Sequence, residues 1–405
     1  MAAIETFDAV VVGGGPAGAT AATDLARRGR SVLLLDRAGR IKPCGGAIPP
    51  RAIADFAIPD SLLCARVEGA RVISPSARCV DMPIEGGFVG MVDRGVFDEW
   101  LRARAAALGA VCRTGTFERL ERGAAGTPVV CYQPRWAAKG DPPARVGARA
   151  VIGADGARSA VAREAVPGAE RIPYVFAYHE IVRSPGSAPA VGSAGPTWDG
   201  ARCDVYYRGV LSPDFYGWVF PHGDTVSVGT GSAHKGFSLR GAVGTLRETA
   251  GLVDTETIRR EGAPIPLRAL RRWDNGRDVI LAGDAAGVVA PASGEGIYYA
   301  MHSGRLAAEA VDAFCANGDA RALALARRRF MRSHGQVFWI LGLMQRYWYS
   351  SDARRERFVS ICRDRDVQQL TWDAYMNKEL VRARPLAHLR IFCKNIAHLT
   401  GLVPA

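Results

Sequence analysis

The N-terminal forty residues predict a strand, a glycine-rich turn, a helix and a second strand. The apolar run 7–12 leads directly into Gly13-Gly14-Gly15-Pro16-Ala17-Gly18, and the apolar run 32–35 ends in Asp36. Such a G-x-G-x-x-G turn permits a tight bend, close approach of the backbone to a pyrophosphate and close packing of helix on strand. The acidic residue accepts hydrogen bonds from ribose hydroxyls, which favours FAD or NAD over NADP. We therefore expect a dinucleotide to contact Gly13, Gly15, Pro16, Ala17, Gly18, Asp36 and Arg37.

Residues 279–301 predict another strand, turn and helix. The apolar run 279–282 ends in Gly283-Asp284, which places a carboxylate at the strand tip, and Ser293-Gly294-Glu295-Gly296 precedes the helix. A carboxylate can accept a hydrogen bond from a polyol hydroxyl. The free N–H groups and positive dipole end of a helix start can bind an anionic ring or a phosphate. FAD needs both, although an ordinary strand–turn–helix has the same pattern. The FAD contacts expected here are Gly283, Asp284, Pro291, Gly294 and Gly296.

A third apolar run, at 151–152, ends in the turn Gly153-Ala154-Asp155-Gly156 and precedes a helix. Together the three segments resemble the flavoprotein monooxygenase and reductase superfamily with one dinucleotide fold. In that superfamily a GxGxxG turn, a GADG-x-x-S turn and a GDAA segment build one FAD site. The run 93–101 resembles its arginine-bearing helix start. The resemblance implies that Asp155 and Arg94 lie near FAD; a plain turn and a solvated arginine are the alternatives.

The composition is consistent with a folded enzyme of two or three domains, since 48% of the 405 residues are hydrophobic. The first apolar run leads straight into the glycine turn, so we expect no signal peptide. The nine cysteines form no C-x-x-C pair and are expected to be reduced thiols. No H-E-x-x-H motif occurs, and no metal is expected. These features predict a cytoplasmic protein.

Positive charge is concentrated near the C-terminus. Residues 321–405 contain 16 Lys and Arg against 6 Asp and Glu, a net charge of +10, and the whole chain carries +12. Trp and Tyr residues are interspersed, which suits an anionic membrane surface. No nucleic-acid-binding signature accompanies the charge. We expect peripheral membrane association and no nucleic-acid partner. The alternative is a solvated helical face, because 47 of the 52 basic residues are Arg.

The patterns predict an α/β protein with a discontinuous, Rossmann-like FAD-binding domain at 1–60, 94–165 and 272–320. A β-sheet substrate domain is predicted at 61–93 and 166–271, with strands at 171–182, 204–207, 217–220 and 225–230. The stretch 122–148, rich in Gly, Ala and Pro, predicts a loop inside a β-hairpin. Residues 321–405 predict a basic helical region.

Two segments bear on the substrate. Alternation along Tyr216-Gly217-Trp218-Val219-Phe220-Pro221 puts three aromatic residues on one strand face, which by periodicity alone packs on a core. This YxWxFP pattern, followed by Gly229-Thr230-Gly231, resembles the geranylgeranyl reductases. The loop Lys42-Pro43-Cys44-Gly45-Gly46 resembles the K-x-C-G-G loop of the same family. Its extension through residue 50, with Ile58-Pro59, is most similar to the chlorophyll and bacteriochlorophyll branch.

The resemblance covers residues 7–300 and implies a function. The implied enzyme uses FAD and NADPH to reduce three double bonds of a geranylgeranyl group, on the diphosphate or on bacteriochlorophyll, to phytyl. Cys44 would be catalytic and would lie with Gly45 at the flavin; a buried structural cysteine is the alternative. The implied substrate contacts are Tyr216, Trp218, Phe220 and Pro221. Alternative functions are an aromatic hydroxylase or halogenase of the superfamily, an archaeal-type geranylgeranyl lipid reductase, and a pigment carrier that holds FAD only structurally.

Overall fold

The computed structural model describes residues 4–37, 42–123, 126–138, 140–186 and 198–378. Within them the chain forms two compact units, each assembled from three stretches of sequence. The first unit takes its described residues from 1–41, 94–174 and 264–338, and the second from 42–93, 175–263 and 339–405. The predicted boundaries lie elsewhere: residues 42–60 belong to the second unit, 264–271 to the first, and the region 321–405 is divided after Phe338.

The strands follow one another along the chain as β1 (Thr6–Val12), β2 (Val32–Asp36), β3 (Ala47–Ile48), β4 (Leu63–Val67), β5 (Gly69–Ile73), β6 (Cys79–Pro83), β7 (Val89–Val92), β8 (Val111–Arg122), β9 (Pro128–Pro134), β10 (Ala144–Gly153), β11 (Tyr174–Arg183), β12 (Cys203–Tyr206), β13 (Gly217–His222), β14 (Thr225–Ser232), β15 (Thr257–Pro266) and β16 (Val279–Leu281). The α-helices are α1 (Pro16–Arg27), α2 (Pro50–Phe56), α3 (Arg94–Ala107), α4 (Ala160–Ala165), α5 (Leu239–Thr249), α6 (Ile297–Asn317), α7 (Ala324–Trp348), α8 (Asp352–Ile361) and α9 (Arg365–Asn377). Short 3-10 helices occupy Asp60–Leu62, Ala169–Arg171, Gly283–Ala286 and Ala320–Leu323.

The first unit is built on a parallel sheet with the strand order β8-β2-β1-β10-β16. The helix α1 contacts β1 and β2 and packs against α6. The glycine turn, Asp36, the GADG turn and the GDAA segment all stand at carboxyl ends of parallel neighbours. Carboxyl ends of parallel strands share one edge of a sheet, where α/β proteins bind their ligands. The Rossmann-like fold predicted from the sequence is confirmed.

One local prediction in this unit is wrong in part. Within the stretch 122–148, predicted as a loop, β9 forms a strand that pairs antiparallel with both β8 and β10. Val129, Val130 and Cys131 of β9 are buried. These residues favour a strand despite the flanking Gly and Pro residues, because two neighbouring strands are available for pairing.

The second unit contains a seven-stranded sheet with the order β15-β11-β14-β13-β12-β5-β6, and a small sheet with the order β3-β7-β4. The strands β11 to β14 match the four predicted in this region to within a few residues. One face of the large sheet packs on α5 through Val219, Val228, Val243 and Leu246. Side chains alternate along a strand, so Trp218 and Phe220 lie on the opposite face.

The predicted helical region is confirmed for the described residues as far as α9, and the rest of the basic tail, 379–405, lies outside the described residues. Of the helices that the structure describes, none combines the length and the apolar character needed to span a bilayer.

Candidate functional site

The glycine turn of the first unit has one side that is tightly packed and one that is open. A Cβ at Gly13, where φ is +104°, would lie 2.3 Å from the carbonyl oxygen of Ala154. A Cβ at Gly18 would lie 1.8 Å from the carbonyl oxygen of Gly13. By contrast, no described residue has a heavy atom within 4 Å of the Cβ position of Gly15. This open backbone at the start of α1, which has no side-chain cap, fits the pyrophosphate of a dinucleotide.

Asp36 is positioned at this turn by β2. Its Oδ2 accepts a hydrogen bond of 2.6 Å from the N–H of Gly14. Arg102 of α3 donates to the carbonyl oxygen of Gly14 over 3.3 Å, and no motif in the sequence had indicated this arginine. Arg37 is exposed. A carboxylate at this position favours a ribose without a 2′-phosphate, so the turn suits FAD.

The GDAA segment packs against α1 and lies beside the start of α6. Gly283 has a φ of +64°, and a Cβ there would lie 2.7 Å from the Cβ of Ala17. The N–H of Gly283 donates to the Ser303 Oγ over 2.9 Å. Asp284 is buried, and its Oδ1 lies 4.0 Å from the Cβ position of Gly296. The structure thus brings together the carboxylate and the helix start that the sequence placed at one ligand.

The turn before α6 brings two glycines and a buried carboxylate to this helix start. Gly294 has a φ of +65°, which favours glycine, and Pro291 is buried. The Oε1 of Glu295 accepts a hydrogen bond of 3.1 Å from the N–H of Tyr298. Gly296 provides no side-chain cap, and the Glu295 carboxylate instead accepts from one N–H of the first turn and offsets part of the positive charge at the start of this 21-residue helix.

Asp155 and Arg94 have partners within the protein. The Asp155 carboxylate accepts hydrogen bonds from the Ser159 hydroxyl and from the N–H of Ala160, and it thereby holds the start of α4. Burial raises the pKa of the Asp155 carboxyl. Arg94 is buried and forms a bidentate ion pair with Asp98, with both N–O distances at 2.8 Å. These contacts define structural roles for both side chains, and their predicted contacts with FAD stay predictions.

In the second unit, the loop that carries Cys44 packs on the strand β13. The N–H of Gly46 donates to the Cys44 Sγ over 3.4 Å. A Cβ at Gly45 would lie 3.1 Å from the Phe220 ring, and a Cβ at Gly46 would lie 2.4 Å from the His222 Nε2. Burial lowers the pKa of His222 to about 4, so this imidazole is neutral at neutral pH. The two glycines therefore let the loop approach the aromatic strand, a contact that the sequence motifs had not indicated.

The predicted aromatic face of β13 exists, and most of it is buried. The rings of Tyr216 and Trp218 lie 6.0 Å apart, and those of Trp218 and Phe220 lie 6.4 Å apart. Tyr216, Trp218 and Pro221 are buried, whereas Phe220 is partly accessible. Phe220 is therefore the best placed of the four for direct contact with a substrate, and contact by the others stays a prediction.

A buried hydrogen-bonded chain runs from Trp218 across the sheet. The indole Nε1–H donates to the Ser227 Oγ over 3.1 Å, and this hydroxyl lies 2.9 Å from the His179 Nδ1. The His179 Nε2 lies 2.9 Å from the Glu261 Oε2. A carboxylate only accepts, so His179 donates from Nε2, and in the neutral imidazole this tautomer leaves Nδ1 to accept the Ser227 hydroxyl proton. Each member has a partner, and the chain fixes the orientation of Trp218.

This chain continues towards the surface through two further ion pairs. The Arg259 guanidinium lies 3.1 Å from Glu261 and 3.1 Å from Asp93. No sequence motif had indicated Ser227, His179 or Glu261, because they stand on separate strands. Only the alternation along β14 could have placed Ser227 on the same face as the glycines of the GxG segment.

The C-terminal helices of the second unit enclose the near end of the aromatic face. The Tyr207 ring lies 6.1 Å from that of Tyr216, 5.3 Å from that of Tyr349 and 5.0 Å from that of Phe358. Burial raises the pKa of each of the three tyrosines. The phenols therefore stay neutral, and this part of the C-terminal region builds a water-excluding wall that no sequence motif had indicated.

Comparisons with known proteins agree with this arrangement. Residues 11–58 match the model of the NAD(P)-binding Rossmann-like domain. The chain is 57% identical to geranylgeranyl diphosphate reductase of Rhodobacter capsulatus, with 98% of each chain covered. It is 35% identical to geranylgeranyl diphosphate reductase of Synechocystis, over 96% of this chain and 97% of the relative.

Solved structures show the same fold. A geranylgeranyl bacteriochlorophyll reductase-like protein from Thermoplasma acidophilum superimposes with a TM-score of 0.80 at 23% identity, over 95% of this chain and 100% of the other. A flavin-dependent brominase gives a TM-score of 0.71 at 17% identity, over 96% of this chain and 99% of the other. The fold is therefore that of the FAD-dependent oxidoreductases, and at this identity and coverage the chain belongs to the geranylgeranyl diphosphate reductase family.

Proposed function

We propose that this protein reduces carbon–carbon double bonds of a geranylgeranyl group, with FAD as its cofactor and NADPH as its reductant, and converts the group to phytyl. The observation that carries the proposal is the aromatic face of Tyr216, Trp218 and Phe220 with the Cys44 loop packed on it. These are the two motifs that resembled the geranylgeranyl reductases. The relatives with that activity in their names match nearly the whole chain.

The chemistry explains why an apolar, aromatic surface is needed. FAD, when bound, relays a hydride from NADPH to the alkene, and each reduced bond consumes one NADPH and one proton. An isolated trisubstituted alkene accepts hydride poorly, so protonation must accompany transfer and positive charge develops at the tertiary carbon. Aromatic rings stabilise such charge, and exclusion of water protects it. In this scheme Phe220 contacts the prenyl chain, and Cys44 is the candidate proton donor.

The proposal is tested by anaerobic incubation of the purified FAD-bound protein with NADPH. Geranylgeranyl diphosphate and geranylgeranyl-bacteriochlorophyll are supplied separately, and mass spectrometry counts the hydrogens added to each prenyl group. Six added hydrogens on either substrate correspond to three reduced bonds. Unchanged prenyl groups, with a flavin that NADPH does reduce, would contradict the proposal.

A hydroxylase or halogenase is the second candidate, because the fold is shared with a flavin-dependent brominase. Such an enzyme requires O2 for product formation, whereas alkene reduction does not. Product that forms only when air is admitted would favour this candidate.

We also propose that the protein docks on an anionic membrane surface. On α7, Trp339 is 69% exposed and Leu343, one turn later, is 54% exposed, and the exposed Arg346 follows. Exposed aromatic and aliphatic side chains beside arginine suit a lipid headgroup region. We expect the pair of changes Trp339→Ser and Leu343→Ser to abolish sedimentation with anionic liposomes. The control Trp136→Ser removes a tryptophan that is 85% exposed, and equal losses in both proteins would contradict this docking face.

A further inference from the structure

Two cavities lie side by side in the first unit, next to the turns assigned to FAD. The smaller has a volume of about 250 Å³, and it is lined by Ala157 and Ser159, which follow the GADG turn, and by Ala285 of the GDAA segment. The larger has a volume of about 530 Å³. Both are lined by Glu170 and Ile172, so they form one continuous depression. Ligand sites of small molecules typically occupy about 300–1,000 Å³.

The lining of this depression is strongly basic. Its charged side chains comprise one carboxylate, Glu170, and six guanidinium groups, namely Arg158, Arg163, Arg171, Arg268, Arg271 and Arg272. All six arginines are exposed at the surface. We call this feature the arginine pocket.

Most of the arginines in the pocket lack a carboxylate partner among the described residues. Arg171 lies 3.3 Å from Glu170 in an exposed pair. Among the described residues, no carboxylate lies within ion-pairing distance of Arg163, Arg268, Arg271 or Arg272. Guanidinium groups present several N–H donors in one plane and bind phosphate oxygens in pairs. The pocket therefore fits a ligand that carries several phosphate groups.

The assignment of the glycine turn to FAD leaves NADPH without a binding position at that turn. The sequence contains a single G-x-G-x-x-G turn after a strand, and Asp36 makes that turn suited to FAD. The 2′-phosphate of NADPH would meet the carboxylate of Asp36 there, so NADPH needs a binding surface of its own. The arginine pocket supplies positive charge at one end, and at the other it reaches Ala157 and Ala285, which lie at the FAD-assigned turns.

We infer that the arginine pocket binds the phosphate groups of NADPH. This inference rests on the proposed function, because it assigns the docking site of the reductant named there. Arg268, Arg271 and Arg272 precede β16 on one segment, Arg171 on the 3-10 helix lines the same cavity, and Arg163 of α4 lines the smaller cavity. These guanidinium groups bind the 2′-phosphate and the pyrophosphate, while the dinucleotide extends towards the smaller cavity.

The test uses the FAD-bound protein under anaerobic conditions in a stopped-flow instrument. The variant Arg271→Gln/Arg272→Gln removes two positive charges, and Arg135→Gln removes an exposed arginine of the same unit outside the pocket. We expect the NADPH concentration that half-saturates flavin reduction to rise about 10- to 100-fold in the double variant, and to stay unchanged in the control. The limiting rate and the flavin content should be the same in all three proteins. Substitution of both arginines by Lys should restore part of the affinity.

A second measurement separates NADPH from the other phosphate-bearing ligand, geranylgeranyl diphosphate. Dithionite replaces NADPH as the reductant, and the KM for geranylgeranyl diphosphate is measured in the same variants. An unchanged KM agrees with the inference. A raised KM together with unchanged half-saturation by NADPH would assign the pocket to the substrate diphosphate and overturn it.

The outcomes distinguish this inference from the proposed function. If the double variant reduces its flavin at the same NADPH concentrations as the wild type, the pocket assignment is wrong, whereas the alkene reduction measured with dithionite is unaffected. If dithionite-reduced wild-type protein leaves the alkene intact, the proposed function fails, whatever NADPH does at the arginines. A wild-type flavin that NADPH does not reduce would overturn both the reductant and the pocket.

Discussion

The substitution Ser227→Ala tests whether the buried chain beside Trp218 holds the aromatic face in place. Ser227 is completely buried, and its hydroxyl accepts from the Trp218 indole and donates to the His179 Nδ1. Alanine keeps the Cβ and removes only the hydroxyl oxygen. The Trp218 Nε1 and the His179 Nδ1 then lose their hydrogen-bond partner together, and the substitution adds no group that could replace the hydroxyl.

The expected cost follows from those two atoms. A buried donor or acceptor left without a partner costs roughly 1–3 kcal/mol, so two such atoms should lower the free energy of unfolding of the variant by about 2–6 kcal/mol. The indole of Trp218 is then free to turn away from β14. We expect reduction of the prenyl chain to fall, whereas reduction of the flavin by NADPH stays unchanged, since Ser227 lies in the other compact unit from the FAD-assigned turns.

A double-mutant cycle isolates the indole. Trp218→Phe removes the N–H donor, so in the Ser227→Ala background it eliminates one unsatisfied group. The free energies of unfolding, from urea denaturation of all four proteins, should show a favourable coupling of about 1–3 kcal/mol. Additive effects of the two substitutions, with wild-type prenyl reduction in Ser227→Ala, would refute the role assigned to this hydrogen bond.

Three further predictions concern the cofactor and Cys44. Gly15→Val should fold, because the backbone is extended and nothing in the described protein fills the space, yet lose FAD; full flavin occupancy would contradict the pyrophosphate assignment. Asp36→Asn keeps an acceptor for the N–H of Gly14, and like Asp284→Ala it should weaken FAD binding by roughly 1.5–3 kcal/mol, measured by flavin fluorescence titration; unchanged dissociation constants would remove both assignments. If Cys44 supplies the proton, Cys44→Ala should lower prenyl reduction far more than Cys44→Ser, with NADPH-to-flavin transfer unchanged in both; wild-type turnover in Cys44→Ala would end any functional role for it.

The sequence predicted those parts of the fold that depend on contacts between residues close together in the chain. Gly13 and Gly18 are needed because a Cβ would collide with backbone atoms within the same strand–turn–helix segment or its neighbour. The position of Asp36 is fixed by the length of α1 and the strand after it. Such constraints recur at constant spacing, so they can be read from one chain.

Other parts depend on which strands become neighbours, and no spacing encodes that. Arg102 reaches Gly14 across 88 residues of sequence, and His179 meets Glu261 across 82. The stretch that became β9 lacked a clear strand pattern because its partners, β8 and β10, supply the pairing. The arginine pocket likewise forms only when the segment before β16 lies beside α4. Each of these features requires the topology before its chemistry can be recognised.

The GxG segment is part of a sequence motif, yet its role depends on strand pairing. The structure explains its distance in sequence from the YxWxFP motif. Gly229 pairs directly with Trp218 on β13 and with His179 on β11. A Cβ at Gly229 would lie 2.2 Å from the indole ring and 2.6 Å from the His179 Cβ. The absence of a side chain there lets the indole lie across β14 and reach Ser227, two residues away on the same face. The spacing between the two motifs therefore reflects the register of the β13–β14 hairpin. This register places Gly229 opposite Trp218 and so orients the indole.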